Sequence, residues 1–222
     1  YDYNLSKQFI NELQLPSPDH SFKIQAISPA TQTGKIMIAL EKLIEKGKPK
    51  LMVIQGDTNT MLAAALTAFK QNILVGHVEA GLRSYDWRMP EEHNRRMVDH
   101  ASTYLFAPTK RAEENLVKEN VWGQIYITGN TVIDAVMQHL PIAEKASEIM
   151  ERIRFNEYVL VTAHRAENVD DPRVLKNLVE VLMAAPTPVV FSVHPRTRKR
   201  LRRYGMWKKL VALSHVQLLP PV

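Results

Sequence analysis

From about residue 22 onward, short apolar runs alternate with longer stretches in which apolar side chains recur every three to four positions. The runs Leu51-Met52-Val53-Ile54, Ile73-Leu74-Val75, Tyr104-Leu105-Phe106, Ile125-Tyr126-Ile127, Tyr158-Val159-Leu160-Val161 and Val189-Val190-Phe191-Ser192-Val193 are too short for helices and rich in β-branched residues. They predict buried parallel strands. Between them the periodicity predicts helices over residues 31–46, 58–70, 91–102, 110–119, 131–140, 171–184 and 197–209, with Thr109, Asn130 and Asp170 among the caps. Such alternation is the pattern of βαβ units on a parallel sheet, so the fold class is α/β.

Residues 141–156 are charged, helical in pattern and followed by a fresh strand, which puts a domain junction near residues 140–155. The expected organisation is an N-terminal Rossmann-like domain over residues 1–145 and the start of a C-terminal one over residues 146–222. The second stretch offers about two strands before Leu218-Leu219-Pro220-Pro221-Val222, and the first opens on a helical pattern (Leu5, Phe9, Ile10, Leu13) with no strand before it. The expectation is an internal piece of a longer protein, truncated at both ends. No internal repeat or low-complexity segment stands out.

A chain of 222 residues can bury a real core, and 45% hydrophobic with 23% charged residues argues against disorder, collagen-like repeats and coiled coil. No apolar run approaches the roughly 18 residues of a membrane span, and Tyr1-Asp2-Tyr3-Asn4 is unlike a signal peptide, so a cytoplasmic protein without a membrane partner is expected. The absence of cysteine excludes disulfides, thiol nucleophiles and thiolate zinc sites. The net charge of +6 suggests a polyanion partner until it is located: eight basic and no acidic residues lie between Arg196 and Lys209. That segment reads as a solvated helix face with Leu201, Tyr204 and Trp207 turned inward, and no nucleic-acid partner is expected.

In open parallel sheets ligands bind beyond the carboxyl ends of the strands. Those positions here are Gly56-Asp57-Thr58, His77-Val78-Glu79-Ala80-Gly81-Leu82-Arg83-Ser84, Thr162-Ala163-His164-Arg165-Ala166-Glu167-Asn168 and His194-Pro195-Arg196. Carboxylates and imidazoles can move protons, while guanidinium groups and helix N-termini stabilise a phosphate-bearing leaving group, so the set reads as an acid/base site beside a phosphate clamp. Pro90-Glu91-Glu92 suits a helix start, where acidic residues favour the macrodipole. Glu91 and Arg95, four apart, form either a surface ion pair or a carboxylate and guanidinium turned toward a ligand. His77-x-Glu79 lacks the cysteines of a zinc deaminase, there is no His-Glu-x-x-His, and His93 with His100 reads as helix surface. Neither the dinucleotide fingerprint nor the P-loop occurs. No metal and no cofactor is expected.

Taken together, Gly-Asp-Thr at 56–58, His-Val-Glu-Ala-Gly-Leu-Arg-Ser at 77–84, Pro-Glu-Glu-His-Asn-Arg at 90–95, Ile-Thr-Gly-Asn-Thr-Val-Ile-Asp at 127–134 and Val-Thr-Ala-His-Arg-Ala-Glu-Asn at 161–168 resemble the non-hydrolysing UDP-N-acetylglucosamine 2-epimerases. The resemblance runs through nearly the whole chain in the family's order. It implies two glycosyltransferase-B-like Rossmann domains with the active site between them, epimerisation of UDP-N-acetylglucosamine to UDP-N-acetylmannosamine at C2, no external cofactor, and a homodimer. It further implies that Asp57, Glu79, Glu91 and His164 are catalytic. Arg95 matches a substrate-contacting arginine, and Arg165, Glu167, Asn168, His194 and His77 are expected to bind substrate. The family's first strand and its Gly-Thr-Arg-Pro-Glu-like loop would precede this chain, and its Asp-Ser-Gly-Gly segment would follow Val222, so these 222 residues alone are expected to be inactive. Two other readings stay open: a hydrolysing relative that releases UDP and N-acetylmannosamine, and a UDP-sugar-binding module without catalysis.

Overall fold

The computed structural model of the protein describes residues 10–11, 13, 15–25 and 28–220. Leu5 and Phe9 of the expected N-terminal helical pattern, the opening Tyr1-Asp2-Tyr3-Asn4 and the closing Pro221-Val222 lie outside the described residues. The chain divides into two compact units, the first ending at Pro141 and the second beginning at Ile142.

The first unit runs α1 (Pro29–Gly47), β1 (Leu51–Gln55), α2 (Asn59–Lys70), β2 (Leu74–Val78), α3 (Pro90–Ala101), β3 (Tyr104–Ala107), α4 (Lys110–Lys118), β4 (Gln124–Ile127) and α5 (Thr131–Ala146), whose last residues lie beyond the division. The strands pair in parallel in the order β1-β2-β3-β4. Right-handed crossovers between sequential parallel strands put the connecting helices on one face. There Ile54 and Val75 pack with Leu62, Ala65, Ala68 and Val98. The opposite face presents Leu51 and Val53, and Val53 is 59% exposed. The expectation of buried strands therefore fails for Leu51 and Val53 of β1 on that face.

Several helix starts follow from capping side chains: the Thr109 hydroxyl accepts from the Ala112 amide and the Asn130 side-chain oxygen from the Val132 amide. Helix α5 does not stop at residue 140; it passes through Pro141 to Ala146, since one proline removes a single backbone donor when the neighbouring turns hold.

The second unit contains α6 (Ile149–Arg152), β5 (Val159–Thr162), α7 (Ala166–Val169), α8 (Pro172–Met183), β6 (Val189–Ser192), α9 (Pro195–Arg203), α10 (Trp207–Val211) and β7 (Val216–Leu219). Its parallel sheet has the order β5-β6-β7. Three expectations need correction. Strand β7 adds a third strand, short and directly followed by Pro220. The single helix expected over residues 197–209 is two, separated at Gly205, whose φ of +70° breaks the helical path. The cap of α8 is Asp171, which accepts from the Arg173 amide, rather than Asp170. Leu201 is fully buried beside Phe191, Leu175 and Leu210, and Tyr204 and Trp207 pack against the same cluster. The basic run is occupied from within. Arg196 and Arg200 bind Asp170, and the guanidinium groups of Arg198 and Arg202 lie 5.4 Å and 5.3 Å from the Trp207 ring. Among the described residues no helix is long and apolar enough to cross a membrane.

Candidate functional site

In the first unit the chemistry gathers at the carboxyl ends of β1 and β2. Gly56 leaves β1 with φ +86°, and a Cβ there would come within 4.0 Å of the Glu79 carboxylate, so the turn carrying Asp57 lies against the residue after β2. Glu79 itself has φ +69°. A non-glycine side chain in the left-handed region costs about 1–2 kcal/mol, and such positions concentrate where a side chain must be aimed. Its Oε1 accepts from Gln55 Nε2 at 3.1 Å, and the same nitrogen donates to the Thr131 hydroxyl at 3.3 Å. Gln55 ties Glu79 to the start of α5.

Helix α3 supplies the cations. Arg95 donates to Asp57 Oδ2 at 2.5 Å and lies 3.3 Å from Glu92 Oε2, so its guanidinium is held between two carboxylates. The neighbouring Asn94 side chain donates to the Asp57 carbonyl at 2.9 Å. Glu91 is half-buried in the first turn of α3, and Arg95 pairs with Glu92 and Asp57 rather than with Glu91. The surface pair that the spacing of Glu91 and Arg95 suggested does not form.

His77 corrects another expectation. It is 0% exposed; its Nδ1 meets Asp99 Oδ1 at 2.7 Å and its Nε2 meets the Gly56 carbonyl at 3.0 Å. With both ring nitrogens committed inside the protein it offers nothing to a ligand, and instead holds the turn before Asp57. Asp99 also accepts from the Gly81 amide and pairs with Arg83 at 2.8 Å, both side chains of that pair being 0% exposed. Burial pushes the Arg83 pKa down, but hydrogen bonds and charge from Glu119 and Asp99 outweigh it and the net direction is up.

In the second unit the corresponding strand ends bring His164 and His194 together, with ring centroids 5.4 Å apart and a tilt of 37°. His164, Arg165, Glu167 and Asn168 are exposed on the short α7 and the residues before it, with Arg165 and Glu167 4.0 Å apart. His194 uses Nδ1 to accept from the Arg196 amide, capping α9, which leaves Nε2 and the ring face for other contacts. Asp170 is held well below the usual carboxylate range by Arg196 first and Arg200 second. Among the described residues no group of three or more His, Cys, Asp or Glu could hold a metal ion.

The residue types at these strand ends suit proton movement beside a phosphate-bearing leaving group. The UDP-N-acetylglucosamine 2-epimerase family model matches residues 1–222. The chain belongs to that family. It is 46% identical over 233 residues to the UDP-N-acetylglucosamine 2-epimerase of Methanocaldococcus jannaschii, covering 100% of this chain and 63% of that protein. The crystal structure of the Methanocaldococcus jannaschii UDP-GlcNAc 2-epimerase in complex with UDP-GlcNAc and UDP superposes with a TM-score of 0.89 at 45% identity, over 100% of this chain and 63% of the other. The UDP-2,3-diacetamido-2,3-dideoxy-D-glucuronate 2-epimerase of Pseudomonas aeruginosa is 38% identical over 228 residues, covering 100% of this chain and 62% of that protein. The chain thus spans about 63% of the length of these relatives.

Polar residues outside the expected set of site residues also take part, two of them, Arg83 and Glu92, within the motifs themselves. Gln55, Arg83, Glu92, Asp99 and Glu119 all contact the expected site residues or one another. Glu92 reads in sequence as a helix-dipole carboxylate, and the pairing of His77 with Asp99 spans 22 positions with no spacing rule to announce it.

Proposed function

We propose that this epimerase-family chain carries the C2 chemistry of a non-hydrolysing UDP-N-acetylglucosamine 2-epimerase. The observation that carries the reading is the strand-end arrangement of Asp57 and Glu79: one carboxylate held by Arg95, the other aimed by an unfavourable φ and by Gln55. C1 of the sugar is an acetal carbon, so no carbonyl acidifies the C2 proton and plain enolisation is closed. In the proposed scheme a carboxylate removes the C2 proton, the C1–C2 double bond forms, and the C1–O electrons leave with UDP to give 2-acetamidoglucal. Re-addition of UDP to C1 with a proton delivered to the opposite face of C2 gives UDP-N-acetylmannosamine.

In this reading Asp57 and Glu91 do the proton work and Glu79 supports them. Arg95 orients Asp57 and contacts substrate, while His164 with Arg165 stabilises the departing diphosphate, as cations and imidazoles do for developing negative charge. Glu167, Asn168 and the free edge of His194 complete the substrate contacts. The protein is read as cytoplasmic, where nucleotide sugars are made, and as a homodimer, which sedimentation at micromolar concentration would test. A second reading changes the sugar alone: the similarity to the diacetamido-glucuronate 2-epimerase supports the same C2 reaction on a ring with a 3-acetamido group and a C6 carboxylate.

Product analysis tests the scheme. UDP-N-acetylglucosamine should give UDP-N-acetylmannosamine with UDP still attached. Replacing Asp57 by Asn, or Glu79 or Glu91 by Gln, should slow turnover by about 100-fold or more. Release of free N-acetylmannosamine and UDP would assign the hydrolysing reaction. Normal turnover in all three variants would remove the carboxylate assignment.

A further inference from the structure

Glu92 has a side chain that is 0% exposed, although the adjacent Glu91 already supplies the first turn of α3 with a carboxylate for the helix dipole. Withdrawing a carboxylate from water costs several kcal/mol unless every oxygen is met by donors. Glu92 meets that condition. Its Oε2 accepts from the Ser84 amide at 2.9 Å and the Ser84 hydroxyl at 3.0 Å and lies 3.3 Å from Arg95, while Oε1 accepts from Arg96 Nε at 3.0 Å. Burial opposes its ionisation, but these donors and the charge of Arg95 outweigh that, and its pKa lies below the ordinary value.

The partners of Glu92 lead back to Asp57 by two routes. Arg95 reaches Asp57 directly. Arg96 reaches Glu119 at 2.6 Å, Glu119 reaches Arg83 at 2.6 Å, Arg83 reaches Asp99, and Asp99 holds His77, whose other nitrogen meets the carbonyl of Gly56, the residue before Asp57. One route fixes the carboxylate of Asp57 and the other fixes its backbone. Arg95 Nε is itself buried without a hydrogen-bond partner among the described residues, and besides Asp57 the guanidinium is paired with Glu92, through Nη1.

We infer that Glu92 is a positioning residue: it fixes Arg95, and through Arg95 the orientation of the Asp57 carboxylate. Its kinetic consequence rests on the epimerase reading; its structural consequence does not. A group withdrawn from solvent adds nothing to ground-state binding directly, so its loss should appear in the chemical step.

The test compares Glu92→Gln and Glu92→Asp in the full chain, with rates expressed per folded molecule from the thermal unfolding curve of each variant. For Glu92→Gln, kcat for C2 epimerisation should fall tenfold or more with KM changed less than threefold, and Glu92→Asp, which keeps the charge, should recover at least half of that loss. Nitrogen-15 NMR of the arginine side chains gives a readout that needs no substrate. The Nη protons of Arg95 should be resolved by restricted rotation in the wild type and averaged in Glu92→Gln. Should Glu92→Gln fail to fold, the charge-balanced double change Glu92→Gln with Arg96→Gln carries the same readouts. An active wild type with kcat unchanged in the Gln variant, an Asp variant no better than Gln, or Arg95 signals that stay resolved would each overturn the inference. A full-length wild type without C2 chemistry would refute the epimerase reading and leave the NMR comparison to decide the role of Glu92.

Discussion

Glu79 shows how a single residue can be placed for work at the expense of its own backbone. At φ +69° glycine would be more comfortable, so Glu79→Gly relieves local strain while losing the hydrogen bond from Gln55. The two effects are of similar size, and the variant should unfold within about 1 kcal/mol of the wild type by urea titration while losing C2 chemistry. A loss of several kcal/mol would mean that the carboxylate is there for stability. The motif around Glu79 was legible in sequence, but its conformation was not, because a positive φ at glutamate leaves no mark on composition. Asp99 was illegible for a different reason, since its partners Arg83 and His77 lie 16 and 22 positions away, and Glu92 because a carboxylate at a helix start reads as a dipole partner until the fold buries it against Ser84, Arg95 and Arg96.

At the scale of elements, the close approach of the segment after β2 to α4 depends on Gly81. Its φ is +78°, and a Cβ there would lie 2.2 Å from the Ala112 carbonyl, a backbone atom that cannot swing aside. Gly81→Ala should therefore cost about 3 kcal/mol or more, displacing the Asp99 and Arg83 contacts with it. Gly129, with φ +82° and nothing within 4 Å of a Cβ, isolates the backbone contribution, and Gly129→Ala should cost only about 1 kcal/mol. Equal costs in thermal unfolding would contradict the packing argument. Apolar runs located six of the seven described strands, since buried parallel strands leave short continuous apolar stretches, whereas β7 went unread because Gln217 interrupts its apolar run and Pro220 follows it directly. The break between α9 and α10 was marked by Gly205, a residue that also occurs inside helices, so its presence alone did not decide the matter.

Across the whole molecule, acid stability should follow the buried charge network. Glu119 is held below the usual carboxylate range first by its hydrogen bond to Arg83, with the charges of Arg83 and Arg96 adding to it, and Glu92 lies below that range as well. A carboxylate whose folded pKa is depressed binds its proton more readily in the unfolded chain, so its stabilisation is complete above about pH 4.5 and disappears as pH falls through the folded value. Urea midpoints should be level near neutrality and fall below about pH 4.5. Glu119→Gln should start about 3 kcal/mol lower at pH 7 and fall less on acidification, because one titrating partner is gone. Parallel curves for wild type and variant would show that the network does not govern acid stability. The measurement that bears most directly on the account is proton NMR of UDP-N-acetylglucosamine in deuterium oxide with the full-length enzyme. Loss of the C2 proton signal, with the manno anomeric signal appearing on a sugar still joined to UDP, is the result predicted; epimer formation with the C2 proton retained, or no change at all at C2, would contradict it.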